Sequence, residues 1–511
     1  MNLDAPAARS PHDVDTLRGD LAGWTVDAVD SIVGERAARA LSREQVLPAR
    51  LAARASSTPQ ATLARLFLLG DTVTRAELDA ALPATGTDGA HGMGLVDAAG
   101  PGRDDVVRAR VDLRPYATST ADGDVTWWVA SDRGEAVTGA RLRDDHVLGI
   151  GGASLTLAGM TMRTQRDRVL DLGTGCGVQA LHASLHARRV VATDVSRRAL
   201  GFAAFNRALN DAGEWDLREG SMLEPVAGEE FDLVVSNPPF VITPPDAPSF
   251  EYRDGRETGD GIVAGLVSGV GAVLAPGGVA QMLGNWEIHG DLWNESLEAW
   301  LDASASAGRP LDAWIIERDR LDAAEYAETW LRDAGVTPER GRDAFERAYE
   351  AYLADFDARG VRAVGFGMLL LRRPLSGAPT LRRLEQHEGP LQAPFGAYLV
   401  DALAAHDRVA ALSDEQLFAQ RLTAAADVTR ESYGPVLQAD PSHLLLRQGA
   451  GLGRSVSMDT ALAGFVGACD GELTAGQIAH ALAALLDVPA ERMLAGLAPA
   501  IRGLVEDGFL G

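Results

Sequence analysis

Three glycines stand between an apolar strand and a helix in the stretch VLDLGTGCGVQAL, from Val169 to Leu181. Glycine allows the backbone to approach a ligand closely, and the first turn of a helix offers N–H groups that have no partner within the helix. The glycines follow the spacing G-x-G-x-G, whereas a dinucleotide fingerprint would need its third glycine at Val178. Asp194 closes the next strand, where a carboxylate commonly binds ribose hydroxyls. The stretch therefore predicts a binding loop for an adenosine ligand other than NAD.

Short apolar strands alternate with helices on both sides of this loop. Such alternation is typical of a mostly parallel, doubly wound α/β sheet, and we expect this domain to span residues 142–375. The strands are predicted at 168–172, 189–194, 214–222, 231–236, 278–286, 311–319 and 363–373, and the helices at 178–187, 196–213 and 261–274.

The two ends of the chain share a pattern of an apolar helix, a polar turn, a threonine-capped second helix and a short Gly-Leu-Val segment. The predicted caps are Thr74 and Thr474. Both flanks look like winged-helix modules, so we expect mainly α, winged-helix-like domains at residues 1–100 and 376–511, with a small β element at 101–141. Because the chain is acidic, a role in helical packing or dimerisation is favoured over DNA binding.

Composition narrows the classes of function. The length of 511 residues suggests three or four domains, and 47 basic against 72 acidic side chains give a formal charge of −25, which disfavours tight binding to nucleic acid through phosphate contacts. Cys176 and Cys469 are too few and too far apart for a disulfide framework, so we expect a reducing cytoplasm. No secretory signal is visible, and no membrane partner is expected. Pro276-Gly277-Gly278 divides the long uncharged run from Gly261 to Leu283, which predicts a buried helix, a turn and a core strand.

Three segments in order carry a resemblance: DLGTGCG, VATDVS and VVSNPPF, which follows the fourth strand. Together they resemble a class I S-adenosylmethionine-dependent methyltransferase that methylates nitrogen, with its Rossmann-like fold. Within this class the central domain is similar to the HemK/PrmC release-factor glutamine methyltransferases and to the small-domain (RsmC-like) RNA adenine and guanine N-methyltransferases. The resemblance implies S-adenosylmethionine as the cofactor.

The same resemblance assigns the cofactor residues. Asp194 would bind the ribose hydroxyls. Family members often carry an acidic residue near the adenine at the end of the third strand, where this chain has Gly220-Ser221-Met222 and Ser221 is the nearest candidate. The residues on the methionine and ribose side would be Asp171, Gly173, Gly175 and Gly177. For Asp171, the alternative is a carboxylate that braces the glycine turn.

The segment VVSNPPF predicts how an acceptor nitrogen would be held. An amide or exocyclic amino nitrogen is a poor nucleophile because its lone pair is delocalised, and two acceptors on its N–H bonds would aim that lone pair at the methyl group. The side-chain oxygen of Asn237 and the carbonyl of Pro238 can supply them, since Pro238 and Pro239 fix the backbone and donate no N–H. Phe240 would stack on the planar acceptor. This chemistry needs no metal and no covalent nucleophile; the alternative is an asparagine-capped turn that ends a strand.

Two further segments are candidates for ligand contacts. Residues 143–159 precede the first strand, at the position where related enzymes place a segment over the cofactor, and Gly151-Gly152 could approach the ligand or form a hinge. Residues 250–261 follow the active-site turn and suit a substrate loop, in which Tyr252 and Arg253 could touch the substrate. An ordinary solvated loop is the alternative.

The motif leaves the acceptor open, because glutamine and adenine present the same H2N–C(sp2) group. The acidic charge favours glutamine N5 of a protein such as a translation factor, and Phe240 favours the amino group of adenine or guanine in RNA or DNA. The sequence is also compatible with a non-catalytic winged-helix regulator that senses the cofactor, and with a methyltransferase for small molecules.

Overall fold

The computed structural model describes residues 4–43, 45–120, 123–140, 142–245, 258–375, 377–437 and 441–511. The chain forms two compact units, one of residues 1–157 with 165–379 and one of residues 158–164 with 380–511. Within the described ranges no helix is long and apolar enough to cross a membrane.

The first unit begins with a helical region and a small sheet. Its helices are α1 (Pro11–Leu21), α2 (Val26–Leu41), α3 (Leu47–Arg54), α4 (Pro59–Leu63), α5 (Arg75–Ala81) and α6 (Gly86–Gly92), and its strands are β1 (Val73–Thr74), β2 (Val96–Ala98), β3 (Val106–Ala109), β4 (Asp112–Thr120) and β5 (Gly123–Ser131). Thr74 caps α5 through a capping box with Glu77, as predicted. β1, β3 and β2 form an antiparallel sheet in that order. The expected boundary at residue 100 falls inside this sheet, because β3 pairs with both of the other strands.

The central part of the first unit is the predicted doubly wound sheet. Its helices are α7 (Glu135–Thr138), α8 (Gly152–Met160), α9 (Val178–Ser184), α10 (Arg197–Leu209), α11 (Gly261–Gly269), α12 (Glu295–Ser306), α13 (Ala323–Asp333) and α14 (Pro338–Arg359). Its strands are β6 (Arg166–Leu172), β7 (Ala187–Asp194), β8 (Trp215–Glu219), β9 (Phe231–Ser236), β10 (Leu274–Ile288), β11 (Asp312–Asp322) and β12 (Ala363–Arg372). They lie in the order β11-β12-β10-β9-β6-β7-β8. β12 is antiparallel to both of its neighbours, and the pairs from β10 to β8 are parallel.

Two features of this sheet differ from the sequence prediction. The sequence predicts a turn at Pro276-Gly277-Gly278, but this segment lies inside β10, where the register with β9 shifts between Leu274 and Val279. A bulge of this kind takes up residues that cannot pair. The helices α13 and α14, which connect β11 to β12, have no counterpart in the prediction. α14 is mostly exposed and buries only Tyr352 and Phe356, so its apolar periodicity is weak.

Asn206 of α10 and Asn210, the residue that caps the C-terminal end of this helix, fasten the β4–β5 hairpin to the sheet domain. The fully buried Asn206 accepts a hydrogen bond from the Ala130 N–H and donates one to the Ala130 carbonyl, each at 2.8 Å. One turn later, Asn210 pairs in the same way with both backbone groups of Trp128. The two amides therefore satisfy the free edge of β5 as a neighbouring strand would. Asn206 also donates to the carbonyl of Cys176 (2.7 Å), so it reaches the glycine-rich loop.

The second unit carries the C-terminal flank. Its strands are β13 (Arg382–Gln386), β14 (Thr429–Tyr433), β15 (His443–Arg447) and β16 (Ser455–Met458), and its helices are α15 (Phe395–Ala410), α16 (Asp414–Phe418), α17 (Thr460–Gly467), α18 (Ala475–Leu485) and α19 (Ala490–Glu506). β14, β15 and β16 form an antiparallel sheet. Thr474 caps α18 through a capping box with Gln477, as predicted. The segment Gly503-Leu504-Val505 lies within α19, whereas its N-terminal counterpart Gly94-Leu95-Val96 leads into β2, so the two flanks differ there.

We expect Asn206→Leu to lower the free energy of unfolding by about 2–5 kcal/mol, because it leaves three buried backbone groups without partners. Denaturant unfolding followed by circular dichroism measures this change. Arg197→Ala, at the exposed start of the same helix, is the control and should shift the free energy of unfolding by less than about 1 kcal/mol. Equal effects of the two substitutions would contradict the importance of the Asn206 contacts.

Candidate active site

The parallel register brings the predicted motifs to one edge of the sheet. Leu172 on β6 pairs with Thr193 on β7 and with Ser236 on β9. The Ser236 hydroxyl also donates to the Leu172 carbonyl (2.8 Å). Because the three strands end at this level, the glycine loop, Asp194 and Asn237 follow side by side. Ligands of doubly wound sheets bind outside such carboxyl ends.

Asp171 braces the glycine loop from below. One of its carboxylate oxygens accepts hydrogen bonds from the Thr174 hydroxyl (2.7 Å) and from the Ala180 N–H in the first turn of α9 (2.9 Å). The carboxyl is buried, and burial raises its pKa to about 7 although the two hydrogen bonds act in the opposite direction. These contacts match the bracing role that the sequence offered as the alternative for Asp171.

The three glycines of the loop have different surroundings, although all have positive φ angles. A Cβ atom on Gly173 or Gly175 would meet nothing within 4 Å, and both residues line an open cleft. A Cβ atom on Gly177 would lie 3.0 Å from the Trp215 ring and 3.2 Å from the Cα atom of Ala203. Gly173 and Gly175 therefore leave room for a ligand, whereas Gly177 leaves room for α10 and β8 to pack against the loop.

Asp194 points its carboxylate at the same loop. One oxygen accepts a hydrogen bond from the Gly175 N–H (2.9 Å), and the other accepts one from the Ser196 N–H (2.9 Å). These two bonds orient the carboxylate of Asp194, which lines the cleft.

The cleft at this edge has an empty volume of about 1070 Å³, counted with the solvent space at its mouth. Of the predicted site residues, it brings together Asp171, Gly173, Gly175, Asp194, Asn237, Pro238 and Pro239. Gly177, Ser221 and Phe240 are not among the lining residues; at the end of β8, Gly220 and Met222 line the cleft instead of the exposed Ser221. Tyr252 and Arg253 lie outside the described residues.

A strap formed by residues 145–149 closes one side of the cleft. His146, Val147, Leu148 and Gly149 line the cleft, whereas Gly151 and Gly152 do not. Asp132 holds the strap, since its carboxylate accepts a hydrogen bond from the Val147 N–H (2.7 Å) and forms a buried ion pair with Arg198. The sequence analysis gave this segment as a candidate for ligand contacts. It did not identify Asp132 and Arg198 as the side chains that hold it, because they lie outside the segment in the chain.

The side-chain oxygen of Asn237 is buried at the end of β9. No donor within the described ranges reaches it. A buried acceptor without a partner costs about 1–3 kcal/mol, and Asn237 lines the cleft. Phe240 is half-buried beside it and meets Phe366 edge to face, with ring centroids 6.5 Å apart.

Comparison with known proteins agrees with this geometry. Residues 151–291 match the family model described as methyltransferase small domain. Over these residues the central domain is therefore similar to methyltransferases. Residues 21–110 match a domain of unknown function (DUF7059). The predicted resemblance to nitrogen-methylating enzymes of this class is confirmed.

The curated relatives match only part of this chain. The release factor glutamine methyltransferase of Xylella fastidiosa (strain 9a5c) is 38% identical over 130 residues, which are 24% of this chain and 47% of the relative. The ribosomal protein uL3 glutamine methyltransferase of Bradyrhizobium diazoefficiens is 31% identical over 170 residues, 30% of this chain and 52% of the relative. The chain thus spans about half the length of the curated relatives it matches.

Solved structures with the same type of domain have low overall similarity. A 16S rRNA methyltransferase of T. thermophilus, solved with AdoMet and guanosine, is 16% identical with a TM-score of 0.26, and the match covers 50% of this chain and 66% of that one. The YcgJ protein of Bacillus subtilis is 16% identical with a TM-score of 0.30, covering 44% of this chain and 98% of that one.

S-adenosylmethionine is the cofactor of methyltransferases of this family, and the residues that line the cleft suit it. The open space over Gly173 and Gly175 admits a ligand against the loop backbone, and the carboxylate of Asp194 lines the same cleft. The Cys176 thiol lines the cleft, but burial raises its pKa to about 12, so it is protonated at neutral pH and is no nucleophile.

We expect Asp171 to make folding stability depend on pH. Its pKa is higher in the folded than in the unfolded chain, so the free energy of unfolding falls as the pH rises from about 4 to about 7, with a slope of up to about 1.4 kcal/mol per pH unit. Asp171→Asn cannot titrate and keeps an acceptor oxygen for Thr174 and Ala180. Denaturant unfolding between pH 5 and pH 7 should therefore give a shallower slope for this variant. Equal slopes for both proteins would contradict the raised pKa.

Proposed function

We propose that this protein transfers a methyl group from S-adenosylmethionine to a planar amide or amino nitrogen, with glutamine N5 of a protein such as a translation factor as the acceptor. The observation that carries the proposal is the buried Asn237 oxygen without a donor in the described part of the chain, which lines the same cleft as Gly173 and Gly175. A cleft that combines a cofactor loop with the unpaired side-chain oxygen of Asn237 suits a substrate that donates hydrogen bonds from N–H groups.

Each residue has a distinct role in this proposal. S-adenosylmethionine, when bound, supplies the methyl group as an electrophile. Asn237 Oδ1 and the Pro238 carbonyl oxygen each accept a hydrogen bond from one N–H of the substrate nitrogen. These two hydrogen bonds turn the lone pair of that nitrogen out of conjugation. Pro238 and Pro239 hold these acceptors in place without competing donors. Phe240 covers one face of the planar group and excludes water.

The glutamine acceptor rests on two supports. The relatives that match over 130 and 170 residues carry the names of glutamine methyltransferases for a release factor and for a ribosomal protein. The formal charge of −25 also opposes the phosphate contacts that bind nucleic acids. Cytoplasmic location and winged-helix flanks that recruit the substrate remain predictions from the sequence.

The first test is transfer of radiolabelled methyl from S-adenosylmethionine into a lysate that is then separated into protein and nucleic-acid fractions. We expect label in protein, and we expect Asn237→Ala to reduce it about 100-fold, since one preorganised hydrogen-bonding group is worth that much in similar sites. Asn294→Ala, before α12 and outside the cleft, is the matched control and should keep full activity.

The fraction that carries the label decides the acceptor. Mass spectrometry of labelled protein would locate the modified glutamine. Label in nucleic acid would replace glutamine with adenine or guanine, and a protein that binds the cofactor but labels no fraction would refute the proposed transfer to these acceptors.

We expect Asp194→Ala to weaken binding of S-adenosylhomocysteine about tenfold or more, because hydrogen bonds to a carboxylate contribute about 1.5–3 kcal/mol. Isothermal titration calorimetry measures the dissociation constant. Glu219→Ala is the control: Glu219 lies opposite Asp194 on β8 but does not line the cleft, so the affinity of this variant should equal that of the wild type. Unchanged affinity of the Asp194 variant would refute its role in binding ribose.

A further inference from the structure

The backbone that follows the Asn-Pro-Pro motif is held at two points by side chains outside every motif. The amide of Asn285 on β10 donates to the Phe240 carbonyl at 2.6 Å. The N–H of Ile242 donates to the hydroxyl oxygen of Tyr326 on α13 at 2.7 Å. Both side chains are fully buried, and the two bonds lie on either side of Val241.

The Tyr326 contact depends on the helices that join β11 to β12. Tyr326 packs in an aromatic core with Tyr352 and Phe356 of α14, and its ring stacks on Phe366 of β12 with centroids 5.9 Å apart. Phe366 in turn meets Phe240 edge to face. Ring contacts therefore connect α13 and α14 to Phe240, the ring that would cover the methyl acceptor. These contacts add to the hydrogen bond of the Ile242 N–H.

The orientation of Asn285 follows from its partner. A carbonyl can only accept, so the nitrogen of the Asn285 side chain must face Phe240. Its oxygen is buried without a donor in the described part of the chain, beside a small cavity that Phe240 and Asp260 also line. Asp260 itself accepts the Glu287 N–H, so the end of β10 and the start of α11 are joined at the same place.

We propose that Asn285 and Tyr326 are positioning residues that fix the backbone from Phe240 to Ile242 and thereby set the height and tilt of the Phe240 ring over the acceptor. This inference rests on the proposed function for its effect on rate, but the contacts themselves can be tested without it. Neither residue lines the cofactor cleft. Their loss therefore changes the acceptor side and leaves cofactor binding intact.

Tyr326→Phe tests the proposal with the removal of a single oxygen atom. Misplacement of a catalytic group by about 1 Å costs up to about 100-fold in rate, so we expect kcat for methyl transfer to fall about 10- to 100-fold. The dissociation constant of S-adenosylhomocysteine should stay within about twofold. Hydrogen exchange of the Ile242 amide should accelerate about tenfold, because this N–H loses its acceptor.

Tyr349→Phe is the matched control. Tyr349 packs against the same aromatic core, but its hydroxyl donates to the Ala324 carbonyl within the inserted helices (3.1 Å) and not to the active-site turn. This variant should keep the wild-type kcat and the wild-type exchange of Ile242. Asn285→Leu is the second test variant and should lower kcat in the same way, again with unchanged cofactor affinity.

The outcomes separate this inference from the proposed function. A wild-type protein that transfers no methyl group refutes the function, and the exchange rate of Ile242 then still decides whether Tyr326 fixes the turn. Wild-type kcat and wild-type exchange in Tyr326→Phe would overturn the positioning role. An equal loss of kcat in Tyr349→Phe would assign the effect to general packing and would also overturn it.

Discussion

The backbone polar groups of the glycine loop constrain everything around the cleft. The loop has few side chains of its own, so other elements must satisfy and orient it. Asp171 binds it from β6, Asp194 from β7 and Asn206 from α10. Two of these groups are carboxylates on strands of the sheet, and the third lies in the helix that also holds the hairpin. One set of hydrogen bonds therefore connects the glycine loop, the sheet and the N-terminal region. The open faces of Gly173 and Gly175 are what this arrangement leaves for a ligand.

The acceptor side is built differently. Asn237 and the prolines are consecutive in the chain and take their position from the end of β9, while the turn after them is held by β10 and by the inserted helix α13. Asn237 and the prolines supply the hydrogen-bond acceptors, and the contacts from β10 and α13 determine where the Phe240 ring lies. Relatives could therefore share the Asn-Pro-Pro motif and differ in the shape of the acceptor pocket, since the supporting side chains are independent of the motif.

The sequence predicted what local patterns determine. Buried parallel strands are short apolar runs, and the glycine loop and the Asn-Pro-Pro turn are contiguous, so the sheet and seven of the residues that line the cleft followed from the sequence. The prediction failed where partners are distant: Asn206 with Ala130, Asn285 with Phe240 and Tyr326 with Ile242 leave no periodic signal. It also failed for α14, which buries too few side chains to show a clear apolar face. Ser221 was the nearest candidate by its place in the chain, but its side chain is exposed.

Asn206 and Asn210 show that the segment matched by the family model depends on contacts outside the match. The match to the methyltransferase small domain begins at residue 151, after the β4–β5 hairpin has ended. A domain that began at that point would leave the Asn206 and Asn210 amides without the backbone groups of β5 that they bind. The hairpin is therefore part of the scaffold that supports the cleft, and exchange of the central domain between proteins would require these two positions to change together with it.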